Sequence, residues 1–356
     1  MNLENSTAFP AAYTLGRDPD GREHLVVVVK ATYAFPDAPD RPPALAAEQQ
    51  PLVMGDTFTG EPGQSAPVLE ADVAPIKPRC DILLIGQAHA PGGRAVKRVP
   101  VGLHVGTMQK QFLVVGDRHW TGSGRFVGIS DPEPFTTLPI SYDVAFGGID
   151  DSHPDPDRCS AYEANPVGRG HRPHKRDLDG VPLPNTEEAD RPVTEPDGRY
   201  TPMAFGPVGR GWLPRRGFAG TYDDAWLDDA FPFLPKDFDT RYYQAAPADQ
   251  QTEFLRGGEP VILVNLTPQG RTQFTLPRVD LPIYLFPRRG RMEPLSPVID
   301  TLVIEPEARR FCLVWRVRRP LRDSLFELDH LIVGRKSRAW WRAYETGKQY
   351  RPLRTA

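Results

Sequence analysis

Cysteine is scarce in this sequence: its 356 residues contain three, Cys80, Cys159 and Cys312, an odd number at wide spacings. That excludes a disulfide framework and a zinc site built on paired CxxC motifs, and it points to a reducing compartment. Long apolar runs are missing as well. No stretch approaches the ~18 apolar residues of a membrane helix, and the opening MNLENSTAFP carries Glu4 with neither a basic start nor an apolar stretch. A secretory leader is therefore not expected, and the expected location is the cytoplasm, away from any membrane. Phosphate loops are lacking too: Gly122-Ser-Gly124 and Gly209-Arg-Gly211 have neither the Lys-Ser/Thr ending nor a strand-to-helix setting. No GxSxG nucleophile motif is present.

Proline and glycine are abundant. The 40 Pro and 31 Gly make up about a fifth of the chain, against about 12% in average usage. Hydrophobic residues at 39%, with 17 Phe, nevertheless keep it out of the disordered class. The expectation is a folded protein of one large or two ordinary domains, rich in turns and long ordered loops.

Strand signals dominate. Residues 25–35 (LVVVVKATYAF) are β-branched and aromatic and follow the turn-forming Asp18-Pro-Asp-Gly21. Further strands are expected at 81–88, 100–105 and 111–115, a meander punctuated by Pro91-Gly-Gly93 and Gly106-Thr107. Two hairpins are expected later, 259–266 with 273–276 around Pro268-Gln-Gly270, and 301–304 with 310–317 around Glu305-Pro-Glu-Ala308. Helix signals are few and short: 223–230, 248–255 behind Pro247, and 337–345, where Ser337 can cap. The fold class is mainly β, with antiparallel sheets in a sandwich- or barrel-like arrangement, long ordered Pro/Gly-rich loops and about three short helices. Residues 1–146 form an N-terminal antiparallel region, 147–202 an ordered connecting loop, and 203–356 a C-terminal β region packed with the first into one unit.

Candidate chemistry is thin. His171 and His174, followed by Asp177 and Asp179, are ligand-type residues, but no helical spacing fixes them and they read best as a solvated loop. Asp117, His119 and Trp120 offer an Asp–His pair, the makings of a tuned general base, although Gly116-Asp117 is also good turn chemistry. Cys80 and Cys312 read as buried small hydrophobes. Neither cofactor nor metal is expected.

The C-terminal part is basic. Residues 278–354 hold 17 Lys or Arg against 9 Asp or Glu, so this part is +8 and the remainder, for a total of −3, is −11. Arg316, Arg318, Arg319, Arg322, Arg335, Lys336 and Arg338 accompany Trp315, Trp340 and Trp341. This mixture serves nucleic acids and protein interfaces alike. The acidic remainder would repel a polyanion, so nucleic acid is not the expected partner. Arg316 and Arg318 alternate with Val317 and are expected on one outer strand face.

A set of strings occurs in one order along about two-thirds of the chain: VVVVKATYAF (26–35), ADVAPIKPRCDILLIGQA (71–88), GDRHW (116–120), SYDVAFGG (141–148), NPVGRG (165–170), LPNTE (183–187), GPVGRGWLPRRGFAGTYDDAW (206–226) and FDTRYYQAAPADQQ (238–251). As a set they resemble the domain-of-unknown-function family found in type VI secretion gene clusters. Members of that family act as adaptors or chaperones for effectors delivered on the spike. Two departures stand out, Asp143-Val144 in place of a Glu-Arg pair and Thr186-Glu187 in place of Ile-Glu. The resemblance implies a non-enzymatic protein whose partner is an effector, engaged directly or through its spike-tip domain. A hydrolase acting on cell-wall or carbohydrate material, using Asp117, His119 and residues 171–179, is the alternative.

The expected partner-binding residues are Arg210, Trp212, Arg215, Arg216, Tyr222 and Trp226, which crowd two Trp, one Tyr and three Arg into a short Gly-rich segment. Those residue types dominate binding hot spots. The competing reading makes Trp212 and Trp226 core residues and the arginines ties between loops.

Overall fold

Val26 to Val29 form the centre of the strand Glu23–Ala34, which is buried continuously from His24 to Tyr33. The computed structural model, which describes residues 1–123, 126–348 and 350, explains why this run shows no polar alternation. The strand lies inside a six-stranded sheet ordered Gln251–Thr252, Cys80–Leu84, Val298–Glu305, Arg310–Pro320, Glu23–Ala34, Ala11–Arg17. Both faces of that sheet are covered. Leu25, Val27, Val29 and Ala31 enter the main core, while Val26 and Val28 pack on Val314 and Leu52 behind it. All pairings in the sheet are antiparallel except Cys80–Leu84 against Val298–Glu305.

A five-stranded sheet closes the other side of the core, in the order Thr186–Glu187, Met108–Val115, Arg98–Val105, Pro260–Val264, Arg271–Thr275. Here alternation is visible, because one face is inward: Val99, Val101, Leu103, Phe112, Val261 and Phe274 meet Leu25 and Phe311 in a single cluster. This sheet draws strands from both sides of the 147–202 loop and one from within it. Asn2–Asn5, Leu328–Val333, Ile283–Pro287 and Glu293–Leu295 make a four-stranded third sheet. Strand accounts for 37% of the chain and helix for 11%, so the mainly β reading holds.

Two α-helices are present among the described residues, Asp224–Asp229 capped by Asp223 and Arg338–Glu345 capped by Ser337. Neither is long and apolar enough to cross a membrane. The helix expected at 248–255 is instead one 3-10 turn, Ala248–Gln250, followed by the strand Gln251–Thr252. Side-chain chemistry overrides the helical pattern: the Gln250 amide donates to the carbonyls of Ile82 (2.8 Å) and Phe205 (2.9 Å), drawing the chain onto the sheet. Arg316 also departs from its expected outer face. It is buried, with Nε 2.5 Å from Asp300, and Nη1 donates to the carbonyls of Asp72 and Ala74. Gly124 and the last residues of the basic C-terminal run lie outside the described residues.

The 147–202 segment carries few regular elements but has a core of its own, in which Leu178, Leu183, Val193 and Tyr200 pack on Trp120 and Phe146. Asn165 is fully buried and its Nδ2 donates to the carbonyls of Tyr142 (2.8 Å) and Phe146 (3.1 Å). Asn185 does the same for Val115 (2.9 Å) while accepting from Arg169. These amides tie the loop to buried backbone carbonyls of the neighbouring segments.

Candidate partner-binding surface

The strings 141–148, 206–226 and 238–251 converge in space. Arg215 opens the 3-10 turn Arg215–Ala219 and points inward: both terminal nitrogens bind Glu70, Nε donates to the Tyr242 carbonyl (2.9 Å) and Nη1 to that of Val208 (2.7 Å). Arg210 binds Asp56 (2.8 Å) and lies 3.2 Å from Glu70. Burial alone would raise the Asp56 carboxyl, but Arg210 and the Ala71 amide hold it below the usual carboxylate range. Trp212 is buried edge-on against Tyr142, with ring centroids 5.4 Å apart. A side chain at Gly209 would sit 2.5 Å from the Trp212 ring, so glycine is required there.

Beside Arg215 lies a cavity of about 260 Å³, walled by Tyr142, Val208, Leu213, Phe218, Ala246 and Pro247. Its back wall hangs from Asp81, a fully buried carboxylate that accepts from Gln244 Nε2 (2.5 Å), the amides of Ala245 (2.8 Å) and Ala246 (3.2 Å), and Lys77 (2.7 Å). Burial, and secondarily Asp249, push the Tyr142 phenol well up, so it stays neutral. The buried Lys110 ammonium donates to Gln250 (2.8 Å). Burial lowers its pKa, against the raising effect of Asp249.

From the cavity wall at Phe218 the chain runs outward into an aromatic ridge. Tyr222, Leu227 and Phe231 are each more than half exposed and Phe233 is 38% exposed, a density of apolar surface that soluble proteins seldom leave uncovered. The ridge is nonetheless tied together by its own contacts. Trp226 is half-buried, donates from Nε1 to the Phe233 carbonyl (2.9 Å), and meets Tyr222 and Phe231 edge-to-face. Asp223 caps the Trp226 amide (2.9 Å), and the Phe233 ring packs over Gly21.

The six residues expected at the partner surface thus divide. Arg215 lines the cavity, Trp212 packs on its wall residue Tyr142 and Arg210 lies beside Arg215's partner Glu70, whereas Arg216, paired with Glu163 at 2.7 Å, and Tyr222 and Trp226 reach the surface. Sequence reasoning missed Leu227, Phe231 and Phe233, although their signal was present: apolar residues interleaved with Asp223, Asp224, Asp228 and Asp229. It also missed Glu70 and Asp56, which sit far from their arginines in the sequence.

The other candidates are tied up separately. Asp117 accepts from Asn185 (2.9 Å), and His119 stands exposed on the outer side of the strand end. His171 faces Ser160 Oγ (3.4 Å) and the Tyr162 ring, and burial lowers its pKa. His174 Nε2 contacts the Arg158 carbonyl (2.7 Å). Among the described residues, no three His, Cys, Asp or Glu side chains converge as a metal-binding group would.

The fold and this surface describe a β scaffold presenting a cavity and an aromatic ridge. The model of a family described as uncharacterized proteins conserved in bacteria, DUF2169, matches residues 20–316, and the chain belongs to that family. No curated protein and no solved structure matches the chain.

Proposed function

We propose that the protein is a non-enzymatic cytoplasmic adaptor or chaperone that holds a type VI secretion effector, or the effector's spike-tip domain, and assists its loading onto the spike. The observation that supports this most is that the chain leads directly from the cavity wall at Phe218 into the exposed ridge that begins at Tyr222. Hot spots pair a desolvated pocket with aromatic anchors in this way. The cavity, at about 260 Å³, falls just below the ~300–1,000 Å³ of small-molecule sites and suits a single anchoring side chain. The type VI assignment comes from the resemblance of the ordered strings, and the ridge supplies a physical means of capture.

Co-expression with a candidate type VI effector from the same genome tests the reading. The effector should co-purify with the wild-type protein and be lost from the Leu227→Asp/Phe231→Asp variant. Both positions are mostly exposed, so the variant's melting temperature should stay within a few degrees. Two soluble proteins that form no complex would sink the proposal.

A further inference from the structure

A second surface lies on the third sheet. The loop joining Ile283–Pro287 to Glu293–Leu295 carries Arg288, Arg289 and Arg291, and the connection after Arg310–Pro320 carries Arg322 and Phe326. They border an open groove of about 470 Å³. Its floor is already neutralised: Arg319 makes a two-point bond to Glu293 (3.1 Å each) and a second to Glu327. Glu327 also accepts from the amides of Arg322 (2.9 Å) and Asp323 (3.1 Å). Burial would raise this carboxyl, yet the Asp323 amide and Arg319 hold it below its ordinary value.

Glu293 and Glu327 are therefore spent on the floor, and Asp323 is the one carboxylate of the lining with no arginine partner among the described residues. Among the described residues, no carboxylate binds the side chains of Arg288, Arg289, Arg291 or Arg322, and all four are exposed. Phe326 lines the same groove with 83% of its surface in solvent. Four like charges crowded at one rim repel each other and attract an anionic partner. The guanidinium fork matches a carboxylate at two points, and the phenyl ring adds an apolar seat.

We propose that this groove binds an acidic protein segment that places an apolar side chain against Phe326 and its carboxylates on the four arginines. A nucleic acid fits less well. Phe326 is the one aromatic side chain of its lining, whereas a single strand of nucleic acid is held by stacking successive bases on several. The groove shares no lining residue with the cavity or the ridge, so its test is read independently of effector capture.

The test uses the full chain and three fluorescent probes: a short Asp/Glu peptide interspersed with Leu and Phe, the same peptide with Asn/Gln for each acid, and single-stranded DNA of matched charge. Anisotropy should show the acidic peptide binding, more weakly as salt rises. Arg289→Glu/Arg291→Glu should weaken it at least about tenfold, and Phe326→Ala measurably, since the aromatic is the anchor. Arg289→Gln/Arg291→Gln serves as a milder second variant should the reversal disturb folding. The proposal is overturned if the acidic peptide binds no better than its amide counterpart. It is equally overturned if the DNA binds as tightly and loses as much on charge reversal.

Discussion

Arg215 and Glu70 meet through both guanidinium nitrogens, with Nη2 2.9 Å from Oε2 and neither side chain more than a tenth exposed. Removing one partner of such a pair strands the other in a poorly solvated site. Arg215→Glu should therefore cost at least about 3 kcal/mol, the low end for a broken buried pair because Arg210 remains close to Glu70. Arg216→Glu breaks only a half-exposed pair with Glu163 and should cost under ~1 kcal/mol. Urea midpoints of the two variants compare them directly. Equal midpoints would show that Arg215 does not support the cavity.

Asn165→Ala leaves the carbonyls of Tyr142 and Phe146 without their amide donor in a fully buried site, which should destabilise by about 2 kcal/mol. Gly168→Ala should act on the same bonds, since its Cβ would fall 2.3 Å from Asn165 Nδ2. The double variant should lose clearly less than the sum of the singles, because both disrupt one contact set. Strict additivity in chemical denaturation would contradict this account.

Thiol chemistry should be selective. Cys159 is exposed, while burial raises the thiols of Cys80 and Cys312 above their ordinary range. An aromatic disulfide reagent should titrate one thiol rapidly in the native protein and three after unfolding. The Cys159→Ser variant should show no fast phase.

Acid should weaken the protein partly through His24. Its ring is buried over Gly16, and burial, then the Arg318 guanidinium, hold its pKa below the ordinary 6.5 in spite of Asp18. Below about pH 6.5 the unfolded chain takes up a proton that the native imidazole refuses. The stability tied to His24 is thus complete above that pH and declines as pH falls towards the lower native value. His24→Leu should flatten the pH dependence of the urea midpoint between about pH 7 and pH 5 relative to wild type. Parallel curves would exclude the residue as the source.

Much of the β architecture was legible because it is written in local patterns. The apolar run at 26–29, and the hairpin Pro260–Val264/Arg271–Thr275 with Gly270 at positive φ in its turn, combine strand propensity with turn chemistry. The failures share a different cause. Gln250 left the helical pattern for two carbonyls supplied by residues 82 and 205, and Arg316 was buried by Asp300 across a hairpin with a bulge in its register. For Arg215 the deciding partner, Glu70, is 145 residues away. A polar side chain reads as exposed until its distant counter-charge is placed, and no periodicity encodes that distance.

Cys80–Leu84 is flanked by Gln251–Thr252 on one side and by the parallel strand Val298–Glu305 on the other, and its Asp81 anchors the back wall of the cavity. Lys77 links that carboxylate to Thr301 as well. A chain still on the ribosome has therefore made every residue that walls the cavity before it has made the strand that fixes the wall in place. Long-range parallel pairing of this kind is slow to form. Under the proposed function, capture of a partner through the cavity would belong to the finished polypeptide. A copy truncated before Val298 keeps the cavity residues but lacks the parallel strand beside Asp81, so under the proposed function it should bind no partner.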